Sequence, residues 1–205
     1  MTDGRTLRAQ AQRVERRASM LEAAMRVFAE RGYHDASIAD IVSAAGVARG
    51  TFYLYFQSKN EVFLALLDEL SGRFRAAIVG VDTRPDAPPL HDQLVERVHL
   101  LLLAVEGSRE VARILFREAN VLDADVTARV RAFEDRMYGY IRTSLANGVR
   151  LGMLRPHDAD VAATVVYGSL RQLIDRRLLA DPSTPDLRAL AAEVVRFALD
   201  GLRAT

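Results

Sequence analysis

Between positions 49 and 59 the chain reads RGTFYLYFQSK, a run crowded with groups that suit nucleic acid. Arg49 is the type of side chain that reads guanine O6 and N7 through two parallel hydrogen bonds, and Gly50 lets the backbone approach a base edge closely. Thr51, Tyr53, Tyr55 and Lys59 offer hydroxyl and ammonium donors for phosphate oxygens, which fix register without reading sequence; of these Tyr53 is assigned with Arg49 and Gly50 to base reading, and Thr51, Tyr55 and Lys59 to phosphate. Ser37 stands where a helix begins and can reach a phosphate, because a helix N-terminus favours an anion. Phe52 and Phe56, four apart, are spaced to plug into a core, which turns Arg49, Gly50 and Tyr53 to the opposite face. The plainer alternatives are exposed aromatic packing for Tyr53 and Tyr55 and a merely solvated Lys59.

These residues need elements to hold them, and the punctuation of the chain argues for helices throughout. The six prolines fall in three places: 85, 88 and 89; 156; and 182 with 185. Between them apolar residues recur at helical spacing, with no sustained alternation of period two. The pattern predicts helices over 13–31, 38–45, 48–55, about 58–78, 90–106, 109–122, 125–151, 158–180 and 185–202. Ser37 with Asp40, and Ser58 with Glu61, have the spacing of capping boxes. Gly46 breaks the chain between the second and third helices. Three short helices with a tight turn between the last two describe a helix-turn-helix, whose second helix enters the major groove by its N-terminal residues. The expected fold is all-α, with nine helices in two domains, 1–57 and 58–205.

Composition bounds the rest. The chain has 205 residues, half of them hydrophobic and 27% charged, the balance of a globular protein. Cysteine is absent, which excludes disulfides, a cysteine nucleophile and thiolate metal sites. The longest stretch without a charge, 161–170, is about half the ~20 residues of a membrane-spanning helix. Arg5, Arg8, Arg13, Arg16 and Arg17, with no apolar run among them, do not read as a secretory signal. A soluble, cytoplasmic protein without a membrane partner is expected. The net charge of +1 hides an asymmetry: the first sixty residues carry nine basic and six acidic side chains, leaving −2 for the remainder. A basic end on a near-neutral body suits an anionic partner. The arginines of 5–17 either follow a DNA backbone or minor groove, as basic arms do, or form a solvated tail. Catalysis finds no support. His34, His91, His99 and His157 make no metal pair, and no nucleophile elbow, phosphate loop or dinucleotide fingerprint occurs. No cofactor or metal is expected. A purely structural helical bundle would leave Arg49, Gly50, Tyr53 and Lys59 unexplained as a set.

The runs AAMRVFAERGY (23–33), SIADIVSAAGV (37–47) and GTFYLYFQSK (50–59) closely resemble the TetR (tetracycline-repressor) family of bacterial transcriptional regulators. The resemblance covers roughly residues 17–67. Ala48 departs from it, standing where the family often has serine or threonine, so the third helix loses a cap and a possible phosphate contact. The resemblance implies an N-terminal DNA-binding domain on a larger ligand-binding and dimerisation domain. It also implies a homodimer on a pseudo-palindromic double-stranded operator, usually a repressor, released when a small molecule displaces the fourth helix. Two recognition helices one DNA turn apart need about 34–36 Å between them, so a small shift breaks simultaneous docking.

Beyond the fourth helix the residues are less specific. Helices eight and nine are apolar on two sides, and a helix with two apolar faces is buried or meets a partner. Val161, Val165, Gly168, Leu187, Val194 and Phe197 are the candidate dimer residues; a fully internal helix pair is the alternative. Polar or aromatic residues interrupt the apolar stripes of helices five to eight at His99, Arg113, Phe116, Arg117, Asn120, Met137, Tyr140, Tyr167 and Arg171. They are the candidate ligand-binding residues, since a pocket is apolar with a few convergent polar groups. Salt-bridged arginines and a core histidine are the competing reading. An apolar pocket edged by arginines suits an amphipathic, acidic effector such as a fatty acyl group.

Overall fold

The computed structural model describes residues 4–78, 80–118, 124–180 and 186–202, with the side chains at 4, 5, 118 and 200–202 left aside. Nine α-helices and no strand occur among them: α1 Gly4–Asp35, α2 Ile38–Ala45, α3 Arg49–Tyr53, α4 Lys59–Ala77, α5 Leu90–Glu106, α6 Arg109–Arg113, α7 Ala124–Arg150, α8 Ala159–Leu173 and α9 Leu187–Leu202. The chain packs as two compact units that divide after Glu69. The sequence pattern put the break at 57/58. The first turns of α4 join the first unit because Val62, Phe63 and Leu66 are buried and complete its core.

In the first unit Met20, Leu21, Ala24, Val27 and Phe28 of α1 recur at helical spacing and are buried, as are Ile41, Phe52 and Phe56. Tyr33 lies between Phe28 and Phe63, each ring centroid 5.3 Å away. Helix α1 begins nine residues earlier than the apolar pattern suggested. Arg8, Ala9, Gln10 and Ala11 are strong helix formers, and no proline interrupts them. Near its end Gly32 takes φ +76° and breaks the helical backbone. Gly46 closes α2 in the left-handed region at φ +64°, its N–H donating to the carbonyls of Ser43 and Val42; a residue with a Cβ is strained there. Helix α3 ends two residues sooner than predicted and has no side-chain cap at Ala48.

In the second unit α5 packs against α9, and α7 against α8. Val95, Leu102 and Val105 of α5 and Leu187, Ala191 and Val195 of α9 are buried, and Arg188 pairs with Glu96 across these helices at 2.9 Å. Two predicted helices change character partway. Helix α6 runs on into a π-helical turn over Ile114–Glu118, and α8 into another over Ile174–Leu179. The two turns are joined by Arg117 and Asp175 at 2.5 Å. No described helix is long and apolar enough to cross a membrane.

Candidate functional site

Phe52 and Phe56 are fully buried, 5.8 Å apart between centroids, and this anchoring decides what α3 presents. Arg49, Gly50 and Tyr53 are exposed and Thr51 is half-buried. The Arg49 guanidinium lies 5.9 Å from the Tyr53 ring centroid, within reach of a cation–π attraction. Around Gly50 nothing lies within 4 Å of where a Cβ would stand, so the backbone there is open to a partner. Tyr55 is half-buried with Arg13 over its ring, and Arg17 stands over Phe56. These contacts fix the arginine-bearing start of α1 beside the end of α3. An open groove runs there between Ala9, Arg13 and Val14 on one side and Leu54 and Tyr55 on the other.

Two expected phosphate ligands have other work. Ser37 caps α2 in a reciprocal capping box: its hydroxyl oxygen accepts from the Asp40 N–H at 3.2 Å, while its own N–H donates to Asp40 Oδ2 at 3.0 Å and its hydroxyl to the same oxygen at 2.6 Å. Those hydrogen bonds hold the Asp40 carboxyl below the usual carboxylate range, with Arg31 at 2.9 Å adding to the effect against partial desolvation. The carboxylate half of the cap is therefore complete at neutral pH and weakened only in acid, as pH falls through that lowered value. Any anion at this terminus meets the first-turn N–H groups of Ile38 and Ala39, which helix geometry leaves free, rather than the Ser37 hydroxyl.

Lys59 departs further from expectation. Its ammonium donates to the carbonyls of Tyr33, His34 and Ala36 at 2.5, 3.0 and 2.9 Å and sits 4.6 Å from the Tyr33 ring centroid. All three N–H groups are spent closing the end of α1, so none is left for a phosphate. Lys59→Met should lower the stability of the first unit by about 2 kcal/mol, the scale of hydrogen bonds from a charged donor. Chemical denaturation monitored by circular dichroism checks this. Unchanged stability with a salt slope of DNA binding reduced by about one would return Lys59 to the phosphate set. The second capping pattern is also redistributed: Ser58 Oγ accepts from Glu61 N–H, while the Glu61 carboxylate accepts from Gln57 N–H instead of Ser58.

The second unit holds an apolar cavity lined by Phe74, Ile78, Leu101, Phe133, Met137 and Ile141, with Phe116, Tyr167, Leu170, Arg171 and Ile174 completing its wall. Of the nine candidate ligand residues, Phe116, Met137, Tyr167 and Arg171 line it. His99, Arg113, Arg117 and Tyr140 do not, and Asn120 lies outside the described residues. Arg113 pairs with Glu110 and Arg117 with Asp175, both at 2.5 Å; His99 lies 4.0 Å from Glu96 on α5. The lining that sequence reasoning missed is aliphatic and aromatic. It belongs to the same stripes that fill a core, so nothing in the pattern separates cavity wall from packing. At the polar edge Arg171 pairs with Glu134 at 2.5 Å and stands over Phe116. The Tyr167 hydroxyl is shut off from solvent, with the Arg171 guanidinium as its hydrogen-bonding neighbour. Burial, and then the negative charge of Glu134, push its phenol up to about 12, with Arg171 opposing.

On the outside of this unit Val161, Val165 and Phe197 are 61, 58 and 79% exposed, Gly168 is exposed and Val194 half-buried. Leu187 is a correction to the dimer candidates. It is buried, on the side of α9 that faces its own core. Among the described residues no group of histidine and carboxylate side chains is placed to hold a metal.

A helix-turn-helix with an outward arginine, in a chain whose second unit holds an apolar cavity, defines a DNA-binding regulator. The signature of bacterial regulatory proteins of the tetR family matches residues 20–66, and that of the tetracyclin repressor-like C-terminal domain matches 87–175. The chain is 31% identical over 194 residues to the HTH-type transcriptional regulator TtgR of Pseudomonas putida, covering 92% of each chain. It is 26% identical to the fatty acid metabolism regulator protein of Bacillus subtilis, over 89% of this chain and 93% of that one. The solved structure of the fatty acid degradation regulator FadR of Bacillus halodurans superposes with TM-score 0.75 at 26% identity, over 93% and 97% of the two chains. The chain belongs to the TetR family. It is a DNA-binding transcriptional regulator and not an enzyme.

Proposed function

We propose that this protein is a cytoplasmic homodimeric repressor that binds a pseudo-palindromic operator and is released by an amphipathic acyl effector. The observation that carries the DNA half is the outward face of α3, fixed by buried Phe52 and Phe56. Arg49 and Tyr53 read bases, Gly50 admits the backbone, and Thr51 and Tyr55 contact phosphates, with the arginines at the start of α1 following the flanking backbone. Val161, Val165, Gly168, Val194 and Phe197 form the dimer face. The effector half rests on the cavity and on two relatives whose names tie them to fatty acid metabolism. The cavity interior, about 30 Å³, equals the share of roughly one water in the liquid, ~30 Å³, so an effector has to part its walls. Phe74 and Ile78 are among those walls, and Phe74 belongs to α4, which begins at Lys59 in the first unit. Entry of a chain therefore acts on a helix shared with the DNA-binding unit.

Selection of bound fragments from random DNA, followed by a salt titration on the winning sequence, tests the reading. A palindromic consensus with a steep salt slope is expected; no consensus would overturn it. On that sequence Arg49→Ala should weaken specific binding by about 1–3 kcal/mol while leaving binding to random DNA unchanged. Equal loss on both would make Arg49 a phosphate contact.

A further inference from the structure

The basic side chains of the first unit sort by what they face. Arg31 pairs with Asp40 at 2.9 Å, Arg26 donates to the Ala44 carbonyl at 3.4 Å, and Lys59 spends its ammonium on three carbonyls. Arg17 reaches Glu69 at 3.8 Å. Arg8, Arg13, Arg16 and Arg49 face no carboxylate at salt-bridge distance among the described residues. Three of those four cations stand on the start of α1, and the fourth is the base-reading arginine of α3.

The start of α1 is an arm outside the core. Every described side chain from Thr6 to Ser19 is exposed, and the first buried one is Met20. No break separates this stretch from the buried part of the helix, since the non-helical residue of α1 is Gly32. From Gly4 to Ser19 the arm is therefore a stiff rod about 24 Å long. It carries five arginines against one acid, Glu15, and its first turn has no acidic residue. Positive charge in the opening turns opposes the helix dipole, so these arginines work against the helix that bears them until an anion lies alongside. A helix ~10–12 Å across is too wide to enter a minor groove of ~6 Å. The arm can rest on a DNA strand but not thread between two.

The groove between this arm and the end of α3 has the chemistry of such a strand. Val14 and Leu54, 65 and 71% exposed, give it apolar walls, and Thr6, Gln10, Arg13 and Tyr55 supply donors around them. Arg13 lies 5.8 Å from the Tyr55 ring centroid, a contact that leaves its N–H groups for oxygen acceptors. Deoxyribose against Val14 and Leu54, with phosphate oxygens at Arg13 and the hydroxyls, matches the order of groups along a DNA backbone. The groove is also continuous with the reading face, since Tyr55 and Tyr53 belong to the same turn of chain.

We propose that this groove and its arm form a second DNA site, which holds one sugar–phosphate strand of the duplex flanking the bases read by α3 and binds it without regard to sequence. The proposal rests on α3 being the DNA-reading helix, as above. At ~3.4 Å per base pair the arm spans about seven pairs. Helix α3 then chooses the site, while the arm supplies a hold on any duplex.

Fluorescence anisotropy of the full-length protein on a random-sequence duplex and on the selected operator, each over a salt series, tests this. Arg8→Gln, Arg13→Gln and Arg16→Gln combined in one variant keep good helix formers in the arm, which circular dichroism checks. That variant should bind both duplexes about tenfold or more weakly at about 0.1 M salt, with a salt slope lower by about three per protomer and operator preference unchanged. Leu54→Glu removes no cation but sets a negative charge in the groove, and should weaken both duplexes alike. Lengthening the operator's flanks should strengthen parental binding up to about seven base pairs and leave the triple variant unmoved. Parental binding of random duplex by the triple variant, or a loss confined to the operator in either variant, overturns the second site. Such a result leaves α3 as the reader, on which Arg49→Ala reports separately. A parent that binds neither duplex overturns the DNA reading itself and this proposal with it.

Discussion

A variant carrying Val165→Asp and Phe197→Asp should be monomeric and should bind the full operator about 10²- to 10⁴-fold more weakly than the parent. The reasoning begins with how each helix divides its faces. Helix α8 buries Ala163, and its π-helical continuation buries Ile174 and Leu178, while Val161 and Val165 stand in the open. Helix α9 buries Leu187, Ala191 and Val195 and leaves Phe197 the most exposed of the large apolar side chains described. Both helices have satisfied their own core with one face and kept an apolar second face. Exposed apolar clusters of this kind mark association surfaces, and two aspartates would put unpaired charge into that surface. A dimer holds its second recognition helix at high effective concentration beside the second half-site, and that tethering supplies gains of about 10²–10⁴. Sedimentation and light scattering report the assembly; operator and half-site titrations report the affinity. The variant should match the parent on an isolated half-site, since α3 is untouched. A dimeric variant, or a monomer that binds the full operator like the parent, would sink the assignment.

Much of this arrangement is legible in the residues, and the limits are physical. The bounds of α2 and α5 follow from local signals: a capping serine and a glycine for α2, and a proline just before α5. The helix-turn-helix is legible because Phe52 and Phe56 sort inward and the residues between them sort outward by helical geometry alone. What sequence reasoning misjudged is tertiary pairing. Lys59 reads as a free basic group until the carbonyls of 33, 34 and 36 are folded onto it. Arg117 and Arg171 read either as an anion-binding edge or as salt-bridged arginines, and only Asp175 and Glu134, arriving from far along the chain, decide for the salt bridges. Periodicity says which face a side chain is on, and nothing about which charge waits there. The π-helical turns escaped for a related reason. One extra residue per turn leaves the apolar stripe almost unchanged, so Ile114, Leu115 and Ile174 look the same in either geometry. The arginine-rich start of α1 was misjudged in the other direction. Exposed residues without an apolar stripe gave no amphipathic signal, yet propensity and two aromatic contacts from Arg13 and Arg17 carry the helix back to Gly4.

The other large effect expected lies in the first unit. Phe52→Ala should cost about 3–5 kcal/mol, the usual range for emptying a buried phenylalanine site, and should abolish operator binding without removing any group that touches DNA. Helix α3 has only five residues and no side-chain cap at Ala48. A helix that short has almost no stability of its own. It is held by Phe52, wholly buried against Phe56 and edge-on to Tyr53 at 5.6 Å. Without that ring the outward face of Arg49, Gly50 and Tyr53 has nothing to orient it. The comparison with Arg49→Ala is what makes the result informative. The arginine variant should keep parental stability and lose discrimination between operator and random DNA; the phenylalanine variant should lose stability and operator binding together. Phe52→Leu, which restores most of the volume, should cost less than about 1.5 kcal/mol and recover most of the binding. Denaturant unfolding, with operator titration on the same samples, separates these cases. If Phe52→Ala unfolds easily yet binds operator as the parent does, α3 is positioned by something other than its buried ring, and the basis for assigning Arg49 as the base-reading residue falls with it.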